Sequence, residues 1–196
     1  MKRNTRLIVY GLIGVLLIGV LSVGSVYAYL KLTSGTATNT LSPAVPVDPT
    51  INESFDGKTK TNVSVSVGDT GYSVYLRCAI LANWVSTTDP TDVNAIAPIA
   101  GVDYQINLNT VDWILGPDHF YYHKSALNSG ETGEVLIYTC SPIEAKVPSG
   151  YRLEVKVHAQ TIQALGSTDA DGTPAVQSAW KVVTADGLGG DLSLAP

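Results

Sequence analysis

The chain of 196 residues is rich in hydrophobic residues (45%), poor in charged residues (15%), and has a net charge of −5. Its first three basic residues, Lys2, Arg3 and Arg6, come before every acidic residue. A chain without residues 1–28 therefore has 9 basic and 17 acidic residues, a net charge of 9 − 17 = −8. An acidic domain repels nucleic acid and anionic lipid, so we expect neither as a partner.

The first 28 residues have the pattern of an export signal. An apolar run from Leu7 to Val23 follows the basic residues, and Val26 and Ala28 occupy the −3 and −1 positions of a cleavage site before Tyr29. An uncleaved membrane anchor is the alternative, although about seventeen apolar residues is near the lower limit for crossing a bilayer. We predict a signal peptide at residues 1–28, formed as a helix, and a secreted or cell-surface protein.

The remaining chain divides near a proline-rich stretch. Residues 29–50 form an N-terminal arm, in which Pro43, Pro46 and Pro49 oppose pairing as a central strand. Residues 51–196 have the length of one domain with its own core.

Within the domain, apolar residues recur at every second position, which predicts strands. Val63, Val65 and Val67 alternate with serines, and a glycine-rich turn follows them. From Tyr72 to Trp84 the alternation places Cys78 on the inner face. Tyr75 and Arg77 fall on the opposite face, with Ser73 and Asn83.

The C-terminal half predicts further strands and one short helix. A long strand begins at Tyr151, and its alternation loses phase near Ile162, where we expect a β-bulge. Thr173 as N-cap and Pro174 at N1 predict a helix over Ala175–Val183, and the glycine-rich tail after Gly187 is expected to be loose. The other predicted strands contain Ile106 and Leu108, Trp113–Leu115, Phe120 and Tyr122, and Val135–Thr139.

Seven or eight strands separated by turns predict an all-β fold, a two-sheet β-sandwich of the jelly-roll or immunoglobulin-like kind. The spacing of the strands does not choose between the two topologies. Edge strands of such a sandwich are either protected or available to a strand from another chain.

The two cysteines, Cys78 and Cys140, allow a disulfide, since export would permit it. Two buried free thiols explain them equally well. Neither cysteine lies in a recognisable nucleophile motif, so we do not expect a catalytic cysteine.

The three histidines give little support to a metal-dependent enzyme. His119 and His123 fall on one face of a predicted strand, about 13 Å apart, and His158 lies on another strand. No His-Glu-x-x-His pattern is present. We expect solvent-facing histidines, no metal, no cofactor and no enzymatic activity.

The aromatic residues Trp113, Tyr121 and Tyr122 leave a second function class open. Exposed rings would suit a carbohydrate-binding or cell-wall-binding module, with the cell wall as a partner, whereas buried rings would be core. The two alternatives predict opposite exposure of the same side chains.

Several short motifs, in this order along the chain, resemble the TasA/camelysin family of exported bacterial proteins, in a Gram-positive clostridial-type branch. They are Ala28-Tyr29-Leu30, Asn39-Thr40-Leu41-Ser42-Pro43, the Val63-to-Trp84 strand pair, Gly116-Pro117-Asp118-His119-Phe120-Tyr121-Tyr122, Ser141-Pro142, Pro148-Ser149-Gly150-Tyr151 and Ala159-Gln160-Thr161-Ile162-Gln163-Ala164.

The resemblance implies a jelly-roll subunit of an extracellular fibre, such as a biofilm-matrix or pilus-like fibre, processed by a dedicated signal peptidase of the SipW type. It also implies assembly by donor-strand complementation, in which the N-terminal arm of one subunit inserts into the next. The candidate donor strand has its apolar side chains at Tyr29, Leu30, Leu32, Leu41, Val45 and Val47. Camelysin-like metallopeptidase activity is the less favoured implication.

Overall fold

The computed structural model describes residues 49–166 and 172–196. The predicted signal peptide and almost all of the predicted arm lie outside these residues. The described part of the chain contains ten strands, one α-helix (α1, Ala175–Trp180) and a 3₁₀ turn (Glu144–Lys146). The strands are β1 (Thr50–Phe55), β2 (Lys60–Ser66), β3 (Val74–Ser86), β4 (Tyr104–Leu108), β5 (Trp113–Leu115), β6 (Tyr121–His123), β7 (Ile137–Pro142), β8 (Tyr151–Gln163), β9 (Val183–Ala185) and β10 (Leu192–Leu194).

Two antiparallel four-stranded sheets form the sandwich, which confirms the predicted all-β class. The first sheet has the strand order β1-β2-β7-β4, and the second has the order β5-β6-β3-β8. β9 and β10 form a separate hairpin. Strands β1 and β8 each lie at the end of a sheet, and the functional argument below depends on these two ends.

The core lies between the sheets and follows the predicted alternation. Val63 and Val65 of β2 are completely buried, as are Leu76 and Cys78 of β3. Trp113 of β5 packs into the same cluster. Each such aliphatic side chain contributes about 1.5–3 kcal/mol through its removal from water.

The outer face of the second sheet carries a second apolar cluster, which changes the interpretation of two residues. α1 and the β9–β10 hairpin contribute Trp180, Val183 and Leu192, and these cover Tyr75. Tyr75, predicted on a polar face, is therefore completely buried. The tail predicted to be loose instead contains β10, in which Leu192 is 4% exposed.

The β-bulge expected near Ile162 is wrong. β3 and β8 pair in thirteen consecutive positions, from Val74 opposite Gln163 to Ser86 opposite Tyr151, with no shift of register. Ile162 packs against the outer cluster. Its apolar side chain breaks the alternation because both faces of this end of β8 are covered.

A bulge occurs instead in the first sheet. Asn52 pairs with Ser64 and Ser54 pairs with Thr61, so β2 has one residue more than β1 between these pairs. Asn62, within the extra stretch, has φ 53. The additional residue reverses the phase of β2 beyond Val63, and Lys60 consequently pairs with the inward-facing Cys140.

The remaining differences are local. β1 is not indicated by the sequence, because five of its six residues are exposed and polar residues dominate it. β7 begins at Ile137 rather than Val135. α1 is shorter than predicted: Pro174 is its N-cap, without a side-chain cap bond, and it ends at Lys181 in a left-handed conformation, φ 58.

Cys78 and Cys140 are free thiols, both buried, rather than a disulfide. They lie on different sheets, on β3 and β7. Burial raises the pKa of Cys78 to about 12 and that of Cys140 to about 11, with Lys60 opposing the shift at Cys140.

We expect the folded state to lose stability as the solution becomes alkaline. The Cys78 thiol has a folded pKa of about 12 against an ordinary 9.0, and burial, with a hydrogen bond to Asp118, raises the pKa of Tyr122 to about 12 from 10.0. Both groups ionise more readily in the unfolded chain. Their contribution is therefore complete below about pH 9 and is lost as the pH rises to about 12.

Urea unfolding at about pH 8 and about pH 11 measures this loss. Cys78→Ala serves as the control, because it removes the part of this thiol and should reduce the decline above about pH 9, to which Cys140 still contributes. A free energy of unfolding that stays constant up to about pH 11 would contradict the assignment.

Candidate functional site

An open groove, here called the seam, runs between the edge strand β1 of the first sheet and the edge strand β8 of the second. Three depressions form it, and neighbouring depressions share lining residues such as Val155 and Leu153. Along β8 it extends from Tyr151 to His158, eight residues or about 26 Å. The seam therefore lies at an end of the sandwich where the two sheets are not joined by strand pairing.

The floor of the seam is apolar and its rim is charged. Val155 is 6% exposed and Cys140 is 2% exposed, and both belong to the core cluster between the sheets. Phe55, 54% exposed, stands at the β1 side. The rim carries Glu53, Lys58, Glu144, Arg152, Glu154 and Lys156.

Every second residue of β8 directs its backbone N–H and C=O groups towards the seam. The Val155 carbonyl accepts a hydrogen bond from Lys60 Nζ, so this carbonyl points away from β3. Because backbone groups alternate along a strand, Leu153 and Val157 direct their N–H and C=O groups the same way. No strand within residues 49–166 or 172–196 pairs with this side of β8.

A charged pair lies inside the seam. Lys60 Nζ is 2.7 Å from Glu53 Oε2 and 2.7 Å from the Val155 carbonyl oxygen. The Lys60 side chain is 14% exposed and that of Glu53 is 35% exposed. The ammonium group thus connects β2 of the first sheet with the free edge of the second.

The prediction that His119 and His123 lie on one face of the same strand is wrong. His119 lies in a turn with φ 65 and is exposed, as is His158, whereas His123 on β6 is 2% exposed. The prediction of a solvent-facing histidine is wrong for His123. Its Nδ1 is 2.7 Å from the Ser125 carbonyl, and its Nε2 contacts the Glu134 carboxylate.

Within residues 49–166 and 172–196, no three His, Cys, Asp or Glu side chains are grouped so that they could hold a metal ion. No helix in the same ranges has the length and apolarity needed to cross a bilayer.

The three aromatic residues considered for sugar binding pack against the apolar clusters and are not exposed on the surface as a group. Trp113 is 2% exposed in the core between the sheets, and Tyr121 packs against that core. Tyr122, fully buried, donates a 2.6 Å hydrogen bond to Asp118 and lies against Trp180 in the outer cluster. The rings of Trp113 and Tyr122 therefore offer no exposed face on which a sugar could stack, and Tyr121 is partly buried.

Arg77 completes the outer cluster. Its guanidinium lies 4.2 Å from the ring centre of Phe120 and 4.8 Å from that of Trp180, and its Nε donates a 2.9 Å bond to Gln160. The network around Arg77 and Tyr122 attaches α1 to the second sheet.

The predicted donor-strand residues and the cleavage site lie outside the described residues. The structure adds two groups that the sequence did not single out, Lys60 and Glu53. Extrapolating the alternation of Val63, Val65 and Val67 places Lys60 on the outside, and only the register of the bulge shows it to be inside. No family model, curated protein or solved structure matches this chain.

Proposed function

We propose that this protein is an exported structural subunit of an extracellular fibre, of the biofilm-matrix or pilus-like kind, assembled by N-terminal strand insertion. The observation that carries the proposal is the seam, with the free edge of β8 along it. An apolar floor flanked by unpaired backbone groups suits an extended peptide, which would add main-chain hydrogen bonds and fill pockets with alternate side chains.

The occupant that we propose is the arm of a second copy of the chain. Residues 29–47 contain only one charged side chain, Lys31, and could extend to roughly 60 Å, more than the seam requires. Such a segment suits the apolar side chains of the floor, Val155 and Cys140, and adds little charge beside the Lys60–Glu53 pair. The sequence resemblance to the TasA/camelysin family supports the same mode of assembly.

Insertion of one subunit's arm into the next is a head-to-tail contact, which does not close and therefore grows a filament. In this proposal a SipW-type peptidase removes residues 1–28 and frees the arm at Tyr29. Export and assembly would then depend on the same cleavage.

Deleting Tyr29–Leu41 from the processed chain, Tyr29–Pro196, should abolish fibres, because the deletion removes most of the inserted strand. Negative-stain electron microscopy and sedimentation of both proteins measure the effect. The deletion leaves the residues that the structure describes, 49–166 and 172–196, in place. Fibres that persist after the deletion would contradict the proposal.

A further inference from the structure

This inference rests on the proposed function and concerns how the edge of β8 in the seam is protected before a strand arrives. The bulge at Asn62 turns Lys60 towards the inside of the sandwich, beside Cys140. The position is unusual for lysine, which is seldom removed from water unless it is paired. Two other lysines near the seam, Lys58 and Lys156, remain 56% and 61% exposed.

The contacts of Lys60 explain how a charge is held there. Its ammonium group donates to the Glu53 carboxylate and to the Val155 carbonyl, both at 2.7 Å. Bonds with an ionised donor are about twice as strong as neutral ones. Glu53 therefore compensates the buried charge of Lys60, and the ammonium also satisfies a backbone acceptor on the edge of β8.

The Val155 oxygen is also an acceptor that an added strand would use. A strand pairing with β8 must donate backbone N–H groups to the carbonyls that face the seam, and Val155 is near the middle of the lining stretch 151–158. Lys60 and an incoming strand therefore compete for one site. Charged residues that point inward are a known way of protecting edge strands from unwanted pairing.

We infer that Lys60 and Glu53 form a clasp that occupies the Val155 carbonyl in the free subunit and releases it when the arm of a second subunit inserts. After release, the ammonium keeps its bond to Glu53, so the charge is not left unpaired. The clasp slows the assembly of free subunits, because each insertion must first break the bond between Lys60 and Val155.

The first test compares fibre growth of Lys60→Met and the wild type, using the processed chain Tyr29–Pro196 and light scattering. Methionine keeps the apolar stem and removes the ammonium, so we expect growth about tenfold faster, the effect of losing one charge-assisted bond. Lys60→Arg keeps the cation and should stay slow. Lys181→Met, which removes an exposed lysine at the end of α1 and outside the lining of the seam, should grow as the wild type does.

The second test does not depend on fibres. Amine acetylation of the unassembled wild-type protein, followed by mass spectrometry, should modify Lys60 at least about tenfold more slowly than Lys58 or Lys156, because its ammonium is bonded and partly buried. Glu53→Gln should raise the rate at Lys60 alone.

The outcomes separate the two proposals. Fibres of the wild type and of Lys60→Met that grow at equal rates would overturn the clasp and leave the fibre proposal standing. If neither protein forms fibres, the fibre proposal fails, and acetylation decides whether the clasp exists. Equal modification of Lys60 and Lys156 would overturn the clasp in either case.

Discussion

Val157→Pro should give a folded protein that forms no fibres. Val157 directs its backbone N–H towards the seam, so a proline there removes no hydrogen bond between β8 and β3. It does remove a donor that an inserted strand needs, and its ring occupies the pairing edge. Proline is tolerated in edge strands for the same geometric reason.

Lys156→Pro is the matched control. Lys156 is the next residue along β8, its side chain is exposed, and its N–H faces Leu81 of β3. Proline at this position removes a hydrogen bond of the β3–β8 ladder and should cost about 1–3 kcal/mol of stability. Thermal unfolding followed by circular dichroism, together with electron microscopy, distinguishes the two variants. Normal fibres from folded Val157→Pro would show that β8 is not the acceptor strand.

Trp113→Ala should destabilise the domain by about 3–5 kcal/mol, a large part of the 5–15 kcal/mol that is typical of a whole domain. The ring is buried between the sheets, and its Nε1 donates a 3.0 Å bond to the Glu134 carbonyl. The His123 ring packs edge-on against it at 5.0 Å. Truncation would leave a cavity and an unpaired carbonyl.

Urea unfolding measures the loss at Trp113, with Val111→Ala as the control two residues away. Val111 is 73% exposed, so its truncation should change the free energy of unfolding by less than about 0.5 kcal/mol. A loss below about 1 kcal/mol for Trp113→Ala would contradict the assignment of this ring to the core.

The fold class was predictable from sequence because apolar residues recur at every second position in β2, β3 and β8, and these residues face the core. Val63, Leu76 and Val155 lie where the period of two places them. The prediction failed where a second layer covers the sheet. Tyr75 and Ile162 are apolar on the outer face because α1 and the β9–β10 hairpin bury them, which a local pattern does not reveal.

The candidate site was less predictable than the fold. The seam exists because β1 and β8 both end their sheets, and strand order is a property of the whole topology. β1 itself has no alternation of apolar residues that would indicate a strand. The inward direction of the Lys60 side chain could not be predicted either, because it depends on one additional residue in β2.

Because of that additional residue, the side chains that line the seam depend on the number of residues in β2 as well as on their identity. If β2 kept its sequence but ran without a bulge, the alternation from Val63 would turn Thr61 into the seam and Lys60 to the solvent. A hydroxyl would replace a cation at the edge of β8. Insertions and deletions are usually tolerated in loops. Between Lys60 and Val63, however, inserting or deleting one residue would change which side chains line the seam.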